Sequence, residues 1–234
     1  MDLGVYSKHN TITRAERAFV VLASIFIASL VLTNIIAGRY FTFLGLPLSC
    51  SVLVYPITFL VTDIVSEVYG PGRARMLVLI GLVVSILVAA LVWIANQLPA
   101  DAASPVDQAS FSQLFGLLPG IVLGSMAAYL TAQFVDVYVF EYLRKVANKK
   151  HLWLRNNGST LCSQLVDTAM VVTISLVLWP LVDGNAQTYP ISWQLWLKIV
   201  TGQYFFKGVL ALLDTPFVYA GIYLTQRWIG LQPN

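Results

Sequence analysis

Six ionisable side chains lie in stretches that are otherwise apolar: Asp63, Glu67, Asp136, Asp167, Lys207 and Asp214. Gln133, Gln164, Gln203 and Asn34 accompany them. An ionised carboxylate only accepts hydrogen bonds, an ammonium only donates, and an amide does both. Placing one such charge at the centre of a bilayer costs about 3 kcal/mol or more, so these groups are expected to face a bundle interior or a wet cavity. One lone polar residue is readily a packing brace; six ionisable ones point to a polar site. The histidines, His9 and His151, both fall outside the apolar runs. An intramembrane protease would need a His base or His ligands inside the membrane, so enzyme chemistry is not expected. Asp63 and Glu67 stand one helical turn apart and could share a divalent cation. Cys50 and Cys162 offer no paired-cysteine metal spacing, and no metal or cofactor is assigned.

The polar groups fall into stripes at helical spacing. These are Pro56, Phe59, Asp63, Glu67 and Gly70; then Tyr129, Gln133, Asp136 and Phe140; then Thr160, Gln164 and Asp167; then Gln203, Lys207, Asp214 and Phe217. Gln-x-x-Asp occurs twice, at 133–136 and 164–167, each time after a small residue. Pro56 lacks an amide proton, which leaves the Val52 carbonyl open to a kink or a ligand. At 1.5 Å rise per residue, Asp63, Asp136, Asp167 and Asp214 each fall roughly 5 to 10 Å to one side of their span centres, in a common layer. Five acids against one Lys cannot all be ionised there unless the cavity is wet.

The elements that must carry these stripes follow from hydropathy. The chain of 234 residues is 58% hydrophobic and 11% charged, with mean hydropathy +0.75. Soluble domains carry about 25% charged residues, so lipid is the expected solvent. Six apolar runs reach span length: Ala18–Gly38, Ser49–Gly70, Met76–Gln97, about Gly116–Tyr142, about Thr160–Leu181 and about Ile199–Leu224. The first is full length with no small-residue cleavage site after it, so it reads as a span and not as a leader. Eleven of the 14 Lys and Arg residues fall on one side of this topology. The positive-inside bias then places both termini in the cytoplasm. The expected fold is an all-α membrane protein, a six-transmembrane-helix bundle. Residues 1–17 form a cytoplasmic segment, 18–225 one transmembrane domain and 226–234 a cytoplasmic tail. Cys50 and Cys162 should not pair, since they begin spans on opposite sides. Gly116, Gly120, Gly124, Ala128 and Ala132 recur every four residues, a ladder that lets a neighbouring helix of the same chain approach closely.

Net charge +3 and pI near 8.9 do not indicate nucleic acid, because topology already accounts for the basic residues. The basic loop Arg144–Arg155 reads first as a topology determinant. Asn156-Asn157-Gly158 is expected to turn the chain before a Ser159/Thr160 cap. Aromatic residues make up 12% of the chain. Trp153, Trp179, Trp193, Trp196 and Trp228 fit interfacial anchors. Phe59 and Tyr129 share faces with the acids. Carboxylates beside aromatic faces suit a planar heterocycle with a donor edge, with Gln or Lys serving its carbonyl. No phosphate-cradling loop occurs, so nucleotide hydrolysis is not expected of this chain.

Three stretches carry a more specific resemblance: Tyr55–Gly70 (YPITFLVTDIVSEVYG), Ala132–Arg144 (AQFVDVYVFEYLR) and His151–Thr168 (HLWLRNNGSTLCSQLVDT). Together with Phe206-Lys207 and Asp214-Thr215-Pro216 they resemble the queuosine-precursor transporter family, also called the vitamin-uptake transporter family. The resemblance covers about residues 20–225. It departs at Pro119-Gly120, where family members often carry an Arg. It implies a six-helix inner-membrane importer of 7-deazaguanine bases such as 7-cyano-7-deazaguanine, feeding salvage for a modified tRNA nucleoside. The implied partners are a purine-like substrate and membrane lipid, with homo-oligomerisation and proton coupling left open. The alternative within transport is a substrate-binding membrane subunit of an energy-coupled importer for another small heterocycle. The expected substrate-site residues are Asp63, Glu67, Gln133, Asp136, Gln164, Asp167, Gln203, Lys207, Asp214, Phe59 and Tyr129.

Overall fold

Thr13 and Glu16 begin the helical architecture with a reciprocal cap. The Glu16 amide donates to Thr13 Oγ1 at 3.2 Å, and the Thr13 amide donates to Glu16 Oε2 at 2.8 Å. This starts helix α1 (Arg14–Ile36) four residues before its apolar run. The computed structural model describes residues 12–146, 152–183, 191–213 and 215–230. After α1 come the strands β1 (Tyr40–Phe43) and β2 (Leu46–Ser49), joined through Leu44 and Gly45, both at positive φ. Two left-handed residues make the tight turn that matches strand twist, which is why the chain forms a hairpin between the first two apolar runs. A 3-10 turn (Cys50–Leu53) leads to α2 (Tyr55–Tyr69).

Pro56 falls in the first turn of α2, where its missing amide proton costs nothing. The expected kink over the Val52 carbonyl therefore does not form; Val52 belongs to the 3-10 turn. Gly70, at φ 87, turns the chain directly into α3 (Pro71–Gln97). The loop expected between these runs shrinks to that one residue, and Arg73 and Arg75 ride on α3. The Arg73 guanidinium lies over the Phe19 and Tyr69 rings at 5.7 and 5.5 Å, and the Tyr69 hydroxyl donates to the Ala15 carbonyl at 3.0 Å. These contacts gather α1, α2 and α3 at one end.

Asp107 caps the short α4 (Gln108–Phe115), its carboxylate accepting from the Ser110 amide at 2.7 Å. That bond holds its carboxyl below the ordinary carboxylate range. Helix α5 (Leu118–Val146) follows. Helix α6 (Leu152–Thr173) continues through a π-helical turn (Ile174–Leu178) into α7 (Trp179–Val182). Pro180 cannot join a regular helical ladder, which accounts for the wider turn before it. Asn156-Asn157-Gly158 lies inside α6 and not in a turn, correcting the sequence expectation. The reason is packing: a Cβ on Gly158 would come within 2.8 Å of Leu143 Cδ1, so the glycine serves close approach of α5 and α6. The sixth run is carried by α8 (Trp193–Leu213) and α9 (Thr215–Ile229), with Asp214 between these ranges outside the described residues.

Among the described residues, four helical stretches are long and apolar enough to cross a membrane: Arg14–Ile36, Pro71–Gln97, Gln108–Ala132 and Gly158–Val182. The protein is a multi-pass membrane protein of predominantly helical fold. One buried apolar cluster joins Leu117 and Ile121 to Val172, Leu176, Ile199 and Val200, tying α5, α6 and α8 together. Another joins Phe26, Val61, Val65 and Leu77 from α1, α2 and α3. The small-residue ladder works within the chain, as expected. A Cβ on Gly120 would overlap the Trp179 side chain, and one on Gly124 would touch Ile174 at 3.3 Å. Ala128 is fully buried. Trp179 Nε1 donates to the Gly116 carbonyl at 2.8 Å, so this tryptophan packs a helix seam in addition to standing near a span end. Pro119-Gly120 thus fits the Trp179 seam, which leaves no room for a long side chain at Gly120. Cys50 and Cys162 are both free thiols, as expected.

Candidate functional site

Helices α6 and α8 are held in fixed register by polar contacts along their length. Trp196 Nε1 donates to Thr173 Oγ1 at 3.1 Å, and the Tyr204 hydroxyl donates to the Leu161 carbonyl at 3.3 Å. Asp167 lies between these contacts on α6, and Lys207, three residues beyond Tyr204 on α8, reaches it. Lys207 Nζ donates to Asp167 Oδ2 at 2.9 Å, and the two side chains are 13% and 25% exposed. From α2, the Tyr55 ring lies under the same ammonium, 5.0 Å from Nζ to its centroid. The Phe59 ring meets Tyr55 edge-on at 4.5 Å, which fixes the platform's tilt. Three helices thus contribute a carboxylate, an ammonium and an aromatic face to one point. The backbone of α2 packs along α1, α3 and α9, while that of α6 packs along α5 and α8.

Around this point, Gln203 is buried one turn before Lys207, within hydrogen-bonding reach of the Tyr40 hydroxyl on β1. Gln164 is partly buried one turn before Asp167. On α2, Asp63 and Glu67 stand on exposed positions one and two turns beyond Phe59. Phe59 is 43% exposed and Tyr129, on α5, is 50% exposed. The side chains of Gln133 and Asp136, and Asp214 as a whole, lie outside the described residues. Asn34 is a brace: its amide donates to Ser85 Oγ at 3.4 Å, buried between α1 and α3. Among the described residues no three His, Cys, Asp or Glu side chains gather into a metal site.

The sequence reading did not select Tyr55 or Tyr40. Tyr55 was within reach, because it precedes Phe59 by one turn on the stripe that continues to Asp63. Tyr40 carried no such signal, since it arrives through the hairpin. As arranged, the site offers Asp167 as acceptor, Lys207 as donor and Tyr55 as a π face. Chemically, such a set of groups can engage a polar planar solute.

Long apolar helices around an internal ion pair define a multi-pass membrane protein with a polar site. A family profile described as "Putative vitamin uptake transporter" matches residues 49–221, and the chain belongs to that family, which is one of transporters and not of enzymes. Among curated proteins, the chain is 33% identical over 177 residues to the "Probable queuosine precursor transporter" of Bacillus subtilis (strain 168), covering 75% of this chain and 72% of that one. It is 24% identical over 170 residues to the "Queuosine precursor transporter" of Escherichia coli (strain K12), covering 73% and 70%. The corresponding protein of Haemophilus influenzae, "Probable queuosine precursor transporter", is 25% identical over 165 residues, covering 69% and 62%. No solved structure matches the chain at a significant level.

Proposed function

We propose that this chain imports a queuosine precursor, a 7-deazaguanine base such as 7-cyano-7-deazaguanine, across the inner membrane as a stand-alone secondary transporter. The names of the relatives support the substrate class. The observation that carries the reading in this chain is the Lys207–Asp167 pair beneath Tyr55. A guanine-like edge presents two adjacent N–H donors and a carbonyl; the carboxylate accepts the donors and the ammonium serves the carbonyl. Around that centre, Asp63, Glu67, Gln133, Asp136, Gln164, Gln203, Asp214, Phe59 and Tyr129 complete the lining of one cavity. In this reading the chain crosses six times with both ends in the cytoplasm. The second crossing is α2 with its 3-10 turn, and the sixth is shared by α8 and α9.

The test is a ligand panel. Purified protein is heated with purines, 7-deazaguanine bases and vitamins in turn, and uptake of each stabilising compound is measured in proteoliposomes. Stabilisation and saturable uptake are expected for the deazaguanine bases. Uptake of a vitamin with none of the deazaguanines contradicts the proposal. Reporter fusions within Arg144–Arg155 should read as cytoplasmic.

A further inference from the structure

We infer that Tyr55 is the stacking platform for the transported heterocycle, and that Lys207 is an internal occupant of the platform which the heterocycle displaces. The inference rests on the proposed function and adds a specificity-determining residue to it.

The argument starts from one atom. Lys207 Nζ is simultaneously 2.9 Å from Asp167 Oδ2 and 5.0 Å from the Tyr55 centroid. It marks where a hydrogen-bond donor must sit to satisfy that carboxylate. A planar solute that replaces Nζ with its own N–H therefore brings the ring bearing that N–H over Tyr55. Offset-stacked and edge-to-face rings have centroids about 4.5 to 7 Å apart, a range open to a ring whose N–H stands where Nζ does. The ring face is already serving a cation, so it can serve another electron-poor partner without rebuilding the site. Phe59 meets Tyr55 edge-on, so the platform is tilted into place before the solute arrives.

Displacement does not strand the ammonium. Lys207 has a flexible four-carbon stem and three donors. It can turn from Asp167 to the carbonyl of the same solute, so the carboxylate exchanges one donor for another and the ammonium keeps an acceptor. The ion pair thus bridges α2 to the α6–α8 pair through the same groups that a solute would engage. A solute that lacks either the donor edge or the planar face cannot replace both contacts.

The experiment compares wild type with Tyr55→Phe, Tyr55→Leu and Tyr55→Trp in proteoliposomes, with radiolabelled 7-cyano-7-deazaguanine as probe and thermal unfolding as the folding control. Tyr55→Phe keeps the face and should keep KM within about twofold. Tyr55→Leu should raise KM roughly tenfold or more, the loss typical of a base–aromatic stack. Tyr55→Trp should show an emission change on adding the base that wild type lacks. If wild type transports the base and Tyr55→Leu keeps its KM, the platform is refuted while the proposed function stands. If Tyr55→Leu does not fold, Tyr55→Trp decides: binding without the extra emission change overturns the inference. No wild-type uptake of the base overturns the proposed function and this inference together.

Discussion

Two junctions in this molecule are built from opposite materials. The seam where α5 meets α6, the π-helical turn and α7 is made of absences: Gly120, Gly124, Ala128 and Gly158 let backbones approach until a single added carbon overlaps Trp179 or Leu143. The junction of α2 with α6 and α8 is made of long polar and aromatic side chains, Tyr55, Lys207 and Asp167. Close-packed small residues in a membrane associate through van der Waals contact and tolerate little sliding. A charged side-chain bridge can exchange partners with a solute. Under the proposed function the seam supplies rigidity and the junction supplies recognition, with α6 shared by both.

The comparison breaks most sharply at Lys207. Lys207→Met removes the donor and leaves Asp167 in partly buried surroundings without its cation. Losing one charge-assisted hydrogen bond to the solute should weaken binding by about 1.5 to 3 kcal/mol, or roughly ten- to a hundredfold in KM. Proteoliposome uptake checks this, and the seam should be untouched. Gly120→Val should do the reverse. Trp179 is pinned through its Nε1 to the Gly116 carbonyl, so overpacking there should cost about 1 to 3 kcal/mol and lower the Tm, with KM for the protein that remains folded little changed. Gly221→Ala should cost less, because it adds one carbon whose overlap is chiefly with Cδ1, the far end of the Ile64 side chain on α2.

The smallest effect should fall at Asp107, the exposed cap of the short α4. Its folded carboxyl titrates below the ordinary range because the Ser110 amide donates to it. The cap's contribution is therefore present above the usual carboxylate range and is lost as pH falls through the lowered value. The protection of the Ser110 amide relative to its intrinsic exchange rate should fall at acid pH in wild type. In Asp107→Ala that protection should be low at all pH, with transport unchanged.

Much of this division was legible in the sequence, and its limits have physical causes. The four-residue ladder announced the seam because small residues at that period have one use in an apolar helix. Asp167 and Lys207 stood out because charges in apolar runs demand partners. Their pairing to each other was not legible, since it depends on the register of α6 against α8, set by Trp196 and Tyr204. The hairpin escaped notice because it is short and lies between two strong hydropathy signals. Gly158 was misread for a related reason: Asn-Asn-Gly has turn chemistry, and the tertiary contact with Leu143 overrides it. Pro56 likewise marked the start of a helix and not a kink within one.

Asp167→Asn tests the central claim most directly, because it preserves shape and removes the charge that holds Lys207. Initial uptake of 7-cyano-7-deazaguanine into proteoliposomes, at matched protein incorporation, should fall roughly ten- to a hundredfold relative to wild type. Wild-type uptake in Asp167→Asn would reduce the pair to a brace between α6 and α8 and contradict its role in recognising the solute.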